Sequence, residues 1–110
     1  MAKTFTTENF RSEVINNDQP VLVDFWAPWC GPCRALGATI ETLADEQTAV
    51  SVGKLDIDEN PELAHEFGIQ SIPAVLVFKD GQVVDRLVGV QPKQAYETSI
   101  EQATASSSCR

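Results

Sequence analysis

The two cysteines best suited to chemistry in this chain lie three positions apart, at Cys30 and Cys33. A C-x-x-C pair can form and break a disulfide, or it can supply two of the four ligands of a zinc site. Zinc would need two further ligands, and only His65 and Cys109 remain, with no second cysteine pair. The pair therefore favours redox chemistry, and we expect no metal site.

The residues that follow predict a helix beginning at Cys30 and ending near Glu46. Apolar residues recur there at helical spacing, and Pro32 is tolerated in a first helical turn, where its missing N–H would have no partner. Free N–H groups and the helix dipole lower the pKa of a thiol at the N-terminus from about 8.5 toward neutral pH. We therefore predict Cys30 as the exposed attacking thiol and Cys33 as the less exposed resolving thiol.

The hydrophobic pattern predicts nine elements in the order β-α-β-α-β-α-β-β-α. Val21–Trp26 is a near-continuous apolar run typical of a central strand. Asn60 and Pro61 are suited to begin the third helix, and Asp80 with Gly81 predicts a hairpin. Two βαβ units give parallel strands and the hairpin adds antiparallel ones. The prediction is an α/β fold with a central mixed five-stranded sheet flanked by four helices.

The two ends of the chain predict one helix and one tail. Thr7 is an acceptable N-cap for a helix that buries Phe10 and Val14 at i, i+4 spacing. The apolar pattern of the last helix fades at residue 103, and three serines in a row follow. We therefore predict one domain over residues 1–103 and a flexible tail over residues 104–110.

Length and charge limit the class of protein. The chain has 110 residues, with 8 basic and 16 acidic side chains and a net charge of −8. Phosphate contacts need clustered Lys and Arg, so we expect no nucleic-acid partner. The N-terminus has no apolar signal segment, and the longest apolar stretch, Val21–Ala27, is far too short to cross a bilayer. We therefore expect no membrane partner. We also expect a cytoplasmic protein, since three cysteines do not form the disulfide framework of a secreted protein.

The residues around the cysteines resemble the active-site signature of the thioredoxin family. The run from Trp26 to Cys33 reads WAPWCGPC, and SIP follows about forty residues later at positions 71–73. The run FKDG at positions 78–81 and then Gly89 continue the match in order and spacing. The resemblance covers roughly residues 3–103. It implies the thioredoxin-like fold, a redox-active disulfide between the two cysteines, and dithiol reduction of protein disulfides.

The resemblance also assigns roles to three residues outside the C-x-x-C turn. Asp24 is an acid inside an apolar strand, and burial raises the pKa of a carboxyl. The resemblance implies that Asp24 accepts the proton of Cys33; the alternative is a hydrogen-bonded structural acid at a strand edge. Lys54 resembles the partner of that acid, or is a surface lysine with a snorkelling stem. Pro73 resembles the family's cis-proline beside the dithiol.

An apolar surface around the dithiol is expected to bind substrate. An extended segment of the substrate would pair with the backbone of Ile72, as in strand addition. Core packing is the alternative for each aromatic residue, and it is expected for Trp26. The acids from Asp56 to Glu66 are expected to form a solvated helix entrance with no role in the site. The predicted substrate-binding residues are Trp29, Gly31, Pro32, Ile72, Val88 and Gly89.

The resemblance implies partners and leaves two alternatives open. It implies a monomer that reduces disulfide-containing proteins and receives electrons from NADPH through a flavin enzyme, thioredoxin reductase. The chain itself has no G-x-G-x-x-G motif, and we expect no bound cofactor. One alternative is a structural binding module with dispensable thiols. Another is an oxidase or isomerase, which needs a more oxidising dithiol. Replacing both cysteines by serine would inactivate an enzyme and spare a scaffold.

Overall fold

The computed structural model describes residues 1–108, and the side chains through residue 105. Cys109, which the sequence places in the predicted tail, lies outside the described residues. The strands are β1 (Lys3–Thr4), β2 (Val21–Trp26), β3 (Ser51–Asp56), β4 (Ala74–Lys79) and β5 (Gln82–Val88). The helices are a short π-helix (Arg11–Ile15), α1 (Gly31–Glu46), α2 (Pro61–Glu66) and α3 (Lys93–Ser108). This confirms the predicted element order.

The five strands form one mixed sheet in the order β1-β3-β2-β4-β5. Strand β2 lies at its centre, parallel to β3 and antiparallel to β4. Strands β4 and β5 form the predicted hairpin, whose turn residues Asp80 and Gly81 both have positive φ, at 55° and 79°. Positive φ at both central positions is the conformation of a two-residue hairpin turn that matches the twist of the strands. The mixed sheet with helices on both faces is therefore confirmed.

Each face of the sheet has its own apolar core, because successive side chains of a strand point to opposite faces. Val23 and Phe25 of β2 point into a core that contains a cluster of phenylalanines. Leu22 points into the other core, which lies under α1 and α3. Those two helices supply Leu36, Ile40, Leu43, Tyr96, Ile100 and Ala103 to it. The second core ends at the start of α1, where the cysteines lie.

The first helix is shorter than predicted. The residues of Arg11–Ile15 form one turn of π-helix, and the predicted N-cap Thr7 does not cap it. The backbone N–H and the hydroxyl of Thr7 both donate to the Asn60 Oδ1 atom, at 2.8 and 3.0 Å. That tertiary contact holds Thr7 away from the helix. Phe10 and Val14 are nevertheless buried, as predicted.

The last helix is longer than predicted. Helix α3 continues to Ser108, five residues beyond the point where the apolar pattern fades. Ile100 and Ala103 are buried just before that point, and the Thr104 hydroxyl donates to the Ile100 carbonyl at 2.9 Å. Within residues 1–108, no helix is both long and apolar enough to span a membrane. The division into a domain over 1–103 and a flexible tail over 104–110 stays a prediction.

Candidate redox site

The C-x-x-C turn forms the beginning of α1. Cys30 is the N-cap residue, with an extended backbone at φ −91° and ψ 108°, and Pro32 occupies the first turn. The Cys33 backbone N–H donates to the Cys30 Sγ atom at 3.2 Å. A disulfide joins the two cysteines, whose Cα atoms are 5.2 Å apart. The predicted helix start is confirmed, and an otherwise unpartnered helix N–H points at the Cys30 sulfur.

Both cysteines are buried in this oxidised form. The exposed fractions are 5% for Cys30 and 2% for Cys33, so Cys33 is the less exposed of the two, as predicted, but Cys30 is itself buried instead of exposed. The reason is the neighbouring chain: Trp26, Ile57 and Ile72 pack against the pair. The Cys30 Sγ atom lies 3.9 Å from the Ile72 carbonyl oxygen. In this oxidised form, exposure to solvent therefore hardly distinguishes Cys30 from Cys33.

Ile72, directly before Pro73, packs against the cysteine pair. The Ile72-Pro73 peptide bond is cis, as the family resemblance implies. The Pro73 carbonyl accepts the backbone N–H of Gly89 at 2.8 Å, which ties this segment to the end of β5. Within residues 1–108, the backbone N–H of Ile72 has no hydrogen-bond partner. An N–H left free beside a redox-active sulfur is available to pair with an incoming chain.

Asp24 is the most unusual buried group of the site. Its side chain is fully buried, and within the described residues neither carboxylate oxygen has a hydrogen-bond partner. It follows Leu22 by two positions on central strand β2, so it points to the face covered by α1. Burial raises the pKa of Asp24 to about 7, against an opposing effect of the Lys54 charge. The alternative of a hydrogen-bonded acid at a strand edge is therefore wrong.

Lys54 lies beside Asp24 without forming an ion pair with it. The two residues are register partners on the parallel strands β2 and β3. The Lys54 Nζ atom lies 4.9 Å from the centre of the Trp26 ring, a cation–π contact. No Lys54–Asp24 bridge within 4.0 Å is found among the described residues. Lys54 acts on Asp24 through space, and its charge opposes the rise in the carboxyl pKa.

Trp29 lies on the surface of the site, held by an acid that the sequence did not single out for it. The Trp29 ring is 66% exposed, so core packing is wrong for this residue, whereas Trp26 is half-buried. The Trp29 Nε1 atom donates to the Asp58 Oδ2 atom at 3.0 Å. The sequence predicts only a solvated helix entrance around Asp58. An indole N–H seeks an acceptor, but 29 residues separate the pair, and only the fold brings them together.

Two further side chains hold the loops around the dithiol. The Arg34 Nη1 atom donates to the Pro28 carbonyl at 2.7 Å and braces the turn from inside α1. The buried Tyr96 hydroxyl accepts the Gln91 backbone N–H at 3.1 Å and lies 3.5 Å from the Gly89 carbonyl. Burial raises the pKa of Tyr96, so the hydroxyl keeps its proton.

The remaining predicted substrate-binding residues differ in their exposure and in the space around them. Val88, at the end of β5, is 54% exposed, and Gly89 adopts φ +82°, which favours glycine. Gly31 has open space around its Cα, with no atom within 4 Å of where a Cβ would lie. In residues 1–108, no group of three or more His, Cys, Asp and Glu side chains is arranged to hold a metal ion. The arrangement thus offers a reversible disulfide, a buried acid and an apolar rim.

Comparison with known proteins gives one family. A sequence model of the family described as Thioredoxin matches residues 1–102. The chain is 48% identical over 96 residues to "Thioredoxin" of Porphyra purpurea, and the aligned region covers 86% of this chain and 90% of the relative. It is 54% identical over 86 residues to "Thioredoxin" of Griffithsia pacifica, covering 77% and 79%. It is 48% identical over 98 residues to "Thioredoxin" of Alicyclobacillus acidocaldarius, covering 88% and 92%.

Proposed function

This chain belongs to the thioredoxin family, and from that membership we propose how its residues divide the work of reduction. It is a thiol–disulfide oxidoreductase, and the Cys30–Cys33 disulfide is its redox-active group. The observation that carries the assignment of roles is the Cys33 N–H aimed at the Cys30 sulfur at the start of α1. A donor in that place stabilises a thiolate, so Cys30 is the nucleophile.

The proposed cycle has two exchange steps. The Cys30 thiolate attacks one sulfur of a substrate disulfide, forming a mixed disulfide, and the other substrate sulfur leaves as a thiolate. Cys33 then loses its proton and attacks the Cys30 sulfur, which releases the second substrate thiolate and closes the Cys30–Cys33 disulfide. Two electrons pass from the dithiol to the substrate, and each released thiolate takes up a proton according to its pKa.

Asp24 is proposed to take the proton of Cys33. It is fully buried on the α1 face, it has no competing partner among the described residues, and its pKa of about 7 suits proton exchange near neutral pH. Lys54 is proposed as its electrostatic partner, since its charge favours the ionised carboxylate. Together they would let the acid release the proton again once the disulfide has closed.

Substrate binding is proposed to centre on the free backbone N–H of Ile72. An extended substrate segment would pair with the backbone of Ile72 beside the cis-proline Pro73. The substrate would then lie next to the Cys30 Sγ atom, which is 3.9 Å from the Ile72 carbonyl oxygen. The exposed side chains of Trp29 and Val88 would bury part of the partner's apolar surface. Gly31 and Gly89 have no side chain and would let its backbone approach closely, and the exposed ring of Pro32 would contact it.

For the rest of the cycle we propose a cytoplasmic monomer that is reduced again by thioredoxin reductase, a flavin enzyme supplied by NADPH. Such a partner would connect the chain to cellular electron transport. We also propose that residues 1–103 suffice for activity. A chain truncated after Ala103 should then reduce insulin at the full-length rate, with NADPH oxidation followed at 340 nm in the presence of a thioredoxin reductase.

The decisive experiment is trapping the mixed disulfide. Cys33→Ser cannot complete the second step, so a substrate protein should stay covalently bound through Cys30 and be released by dithiothreitol. Cys30→Ser serves as the matched control and should trap nothing. Trapping by Cys30→Ser instead would reverse the assignment. A double serine variant that keeps its cellular role would favour the alternative of a structural binding module.

A further inference from the structure

A small cavity lies beside the segment that is proposed to pair with substrate. Its volume is about 170 Å³, and residues 68–71 line it together with Ala74, Arg86 and Val88. Residues 68–71 lead directly into Ile72 and the cis-proline. Val88 belongs to the exposed rim of the site. A side chain of a bound substrate segment that points toward β5 would enter this cavity.

Arg86 is the one charged side chain among the residues that line the cavity. It lies two positions before Val88 on edge strand β5, so the two side chains share a face and their Cα atoms are about 7 Å apart. Its Nη2 atom donates to the Phe67 carbonyl at 2.7 Å. That bond fixes the guanidinium at the cavity wall before any ligand arrives.

The charge of Arg86 is not neutralised inside the protein. No carboxylate lies within 4.0 Å of its guanidinium among residues 1–108. The neighbouring Asp85 is engaged elsewhere: its Oδ2 atom accepts the buried Ser99 hydroxyl at 2.6 Å, and its Oδ1 atom accepts the Arg86 backbone N–H at 2.9 Å. A guanidinium has five N–H donors, so several stay available after the bond to Phe67.

We propose that Arg86 and this cavity form a subsite for an acidic side chain of the substrate protein, close in sequence to its target disulfide. The proposal rests on the function proposed above. A carboxylate matches the fork of donors on a guanidinium and binds it through two parallel hydrogen bonds. The chain has a net charge of −8, so most of its surface repels acidic partners. Arg86 supplies local attraction where the substrate segment passes.

The test uses synthetic peptides with one cysteine held in a mixed disulfide with a chromogenic aromatic thiol. Glu or Gln occupies each of the positions −2, −1, +1 and +2 from the cysteine in turn. Pre-reduced protein attacks the peptide disulfide, and absorbance reports the aromatic thiolate that leaves. We expect Glu to raise the second-order rate constant about twofold to fivefold over Gln at one of these positions, the range of an exposed ion pair.

The variants separate a subsite from general charge effects. Arg86→Gln should abolish the preference for Glu, and Arg86→Lys, which keeps the charge, should retain part of it. Arg11→Gln is the matched control: it changes net charge equally on the short π-helix and should keep the full preference. The preference should also shrink in 0.5 M salt. Loss of the preference in Arg11→Gln, or no preference in the wild-type protein at any position, would overturn the proposal.

A small aromatic disulfide with no peptide distinguishes the two levels of failure. All three variants should reduce it at the wild-type rate, which also shows that they are folded. If the wild-type protein reduces neither this compound nor any peptide, the proposed function fails. If it reduces every peptide at the same rate, only the acidic subsite fails.

Discussion

Val23 and Asp24 are neighbours in strand β2, but their side chains enter very different interiors. Val23 points into the face where Phe10, Phe67 and Phe78 pack with ring centroids 5.2 to 5.6 Å apart. Asp24 points to the opposite face, where its carboxyl is fully buried with no partner among the described residues. One face is completed by aromatic packing, and the other retains an unsatisfied acid.

The difference shows where this fold gives up stability. Burying a polar group without a hydrogen bond is unfavourable by about 1–3 kcal/mol in proteins, and more for an ionised one. Among the described residues, no other buried side chain has a polar atom without a hydrogen-bond partner. The cost is concentrated on the face beneath α1, where the proposed mechanism needs an acid that takes and returns a proton. Packing and chemistry are therefore divided between the two faces of the sheet, and substitutions on each face should have different effects.

Removing a ring from the phenylalanine face should have the largest effect. Phe25 is fully buried, so Phe25→Ala should lower the free energy of unfolding by about 3–5 kcal/mol, as measured in urea. The rate of disulfide reduction per folded molecule should stay unchanged. Val84→Ala, at a position that is 48% exposed, is the control and should change stability little. A Phe25→Ala protein that is folded but inactive would break the separation.

Replacing Asp24 should instead raise the free energy of unfolding. Asp24 has a pKa of about 7 in the folded chain, against an ordinary value of 3.8. Between pH 3.8 and about pH 7, the Asp24 carboxyl is ionised in the unfolded chain and protonated in the folded chain. The contribution of Asp24 to stability therefore falls as pH rises through this range and is fully lost above pH 7. The Asp24→Asn variant should therefore become more stable than wild type by up to about 4 kcal/mol at neutral pH and above.

Comparison of the two chains across pH gives the measurement. Urea unfolding of wild type and Asp24→Asn from pH 4 to pH 8 cancels the contributions of the other carboxyls. The gap should be small at pH 4 and widen until about pH 7. A gap that is constant across this range would mean that Asp24 titrates normally and that the two faces do not differ in this respect.

The same substitution should slow catalysis. If Asp24 accepts the proton of Cys33, Asp24→Asn should reduce turnover of a protein disulfide by about 10²-fold, the low end of what a positioned general base contributes. Formation of the mixed disulfide in the Cys33→Ser background should be affected much less, since that step uses Cys30. Full turnover in Asp24→Asn would leave the acid without a catalytic role.

Within the turn itself we expect a smaller asymmetry. The Cys33 N–H and the start of α1 act on the Cys30 sulfur, so the reduced protein should have a lower thiol pKa at Cys30. Iodoacetamide near neutral pH should then label Cys30 about tenfold faster than Cys33, as followed by peptide mass spectrometry. Cys109→Ser should be used throughout to remove the third thiol. Equal labelling would contradict the assignment of the nucleophile.

The smallest effect should distinguish two buried residues of α3. Tyr96 and Ser99 each use a hydroxyl in a hydrogen bond, but only Tyr96 holds the loop at Gln91 beside the site. Tyr96→Phe and Ser99→Ala should each lower stability by about 1 kcal/mol. Only Tyr96→Phe should also raise the KM for a protein substrate, about twofold to fivefold, with kcat unchanged. Similar KM values in the two variants would restrict Tyr96 to packing.

Sequence patterns predicted the fold where local signals and packing agree. The apolar run Val21–Trp26 and the turn at Asp80 led to the correct strands, because burial on both faces and positive φ each leave a clear signature. The prediction failed at the start of the chain. Thr7 is held by Asn60, 53 positions away, and no local pattern contains that contact.

The site shows the same division. Cys30, Asp24 and Pro73 could be identified from residue type and from the family resemblance. The burial of Cys30 could not, because Ile72 covers it from another part of the chain. The partnership of Trp29 with Asp58 depends equally on tertiary placement. Contacts between distant segments set how accessible and how well oriented these groups are, and the spacing of residues along the chain does not specify them.

The Cys30–Cys33 disulfide spans only three positions in sequence, and this has a consequence for the unfolded protein. A cross-link stabilises a fold mainly by restricting the freedom of the denatured chain, and this effect grows with the size of the loop that it closes. A loop this short removes little of that freedom, about 2 kcal/mol compared with almost 5 for a loop of 100 residues. The protein can therefore open and close its bond many times, since the integrity of its architecture does not depend on the bond that it exchanges.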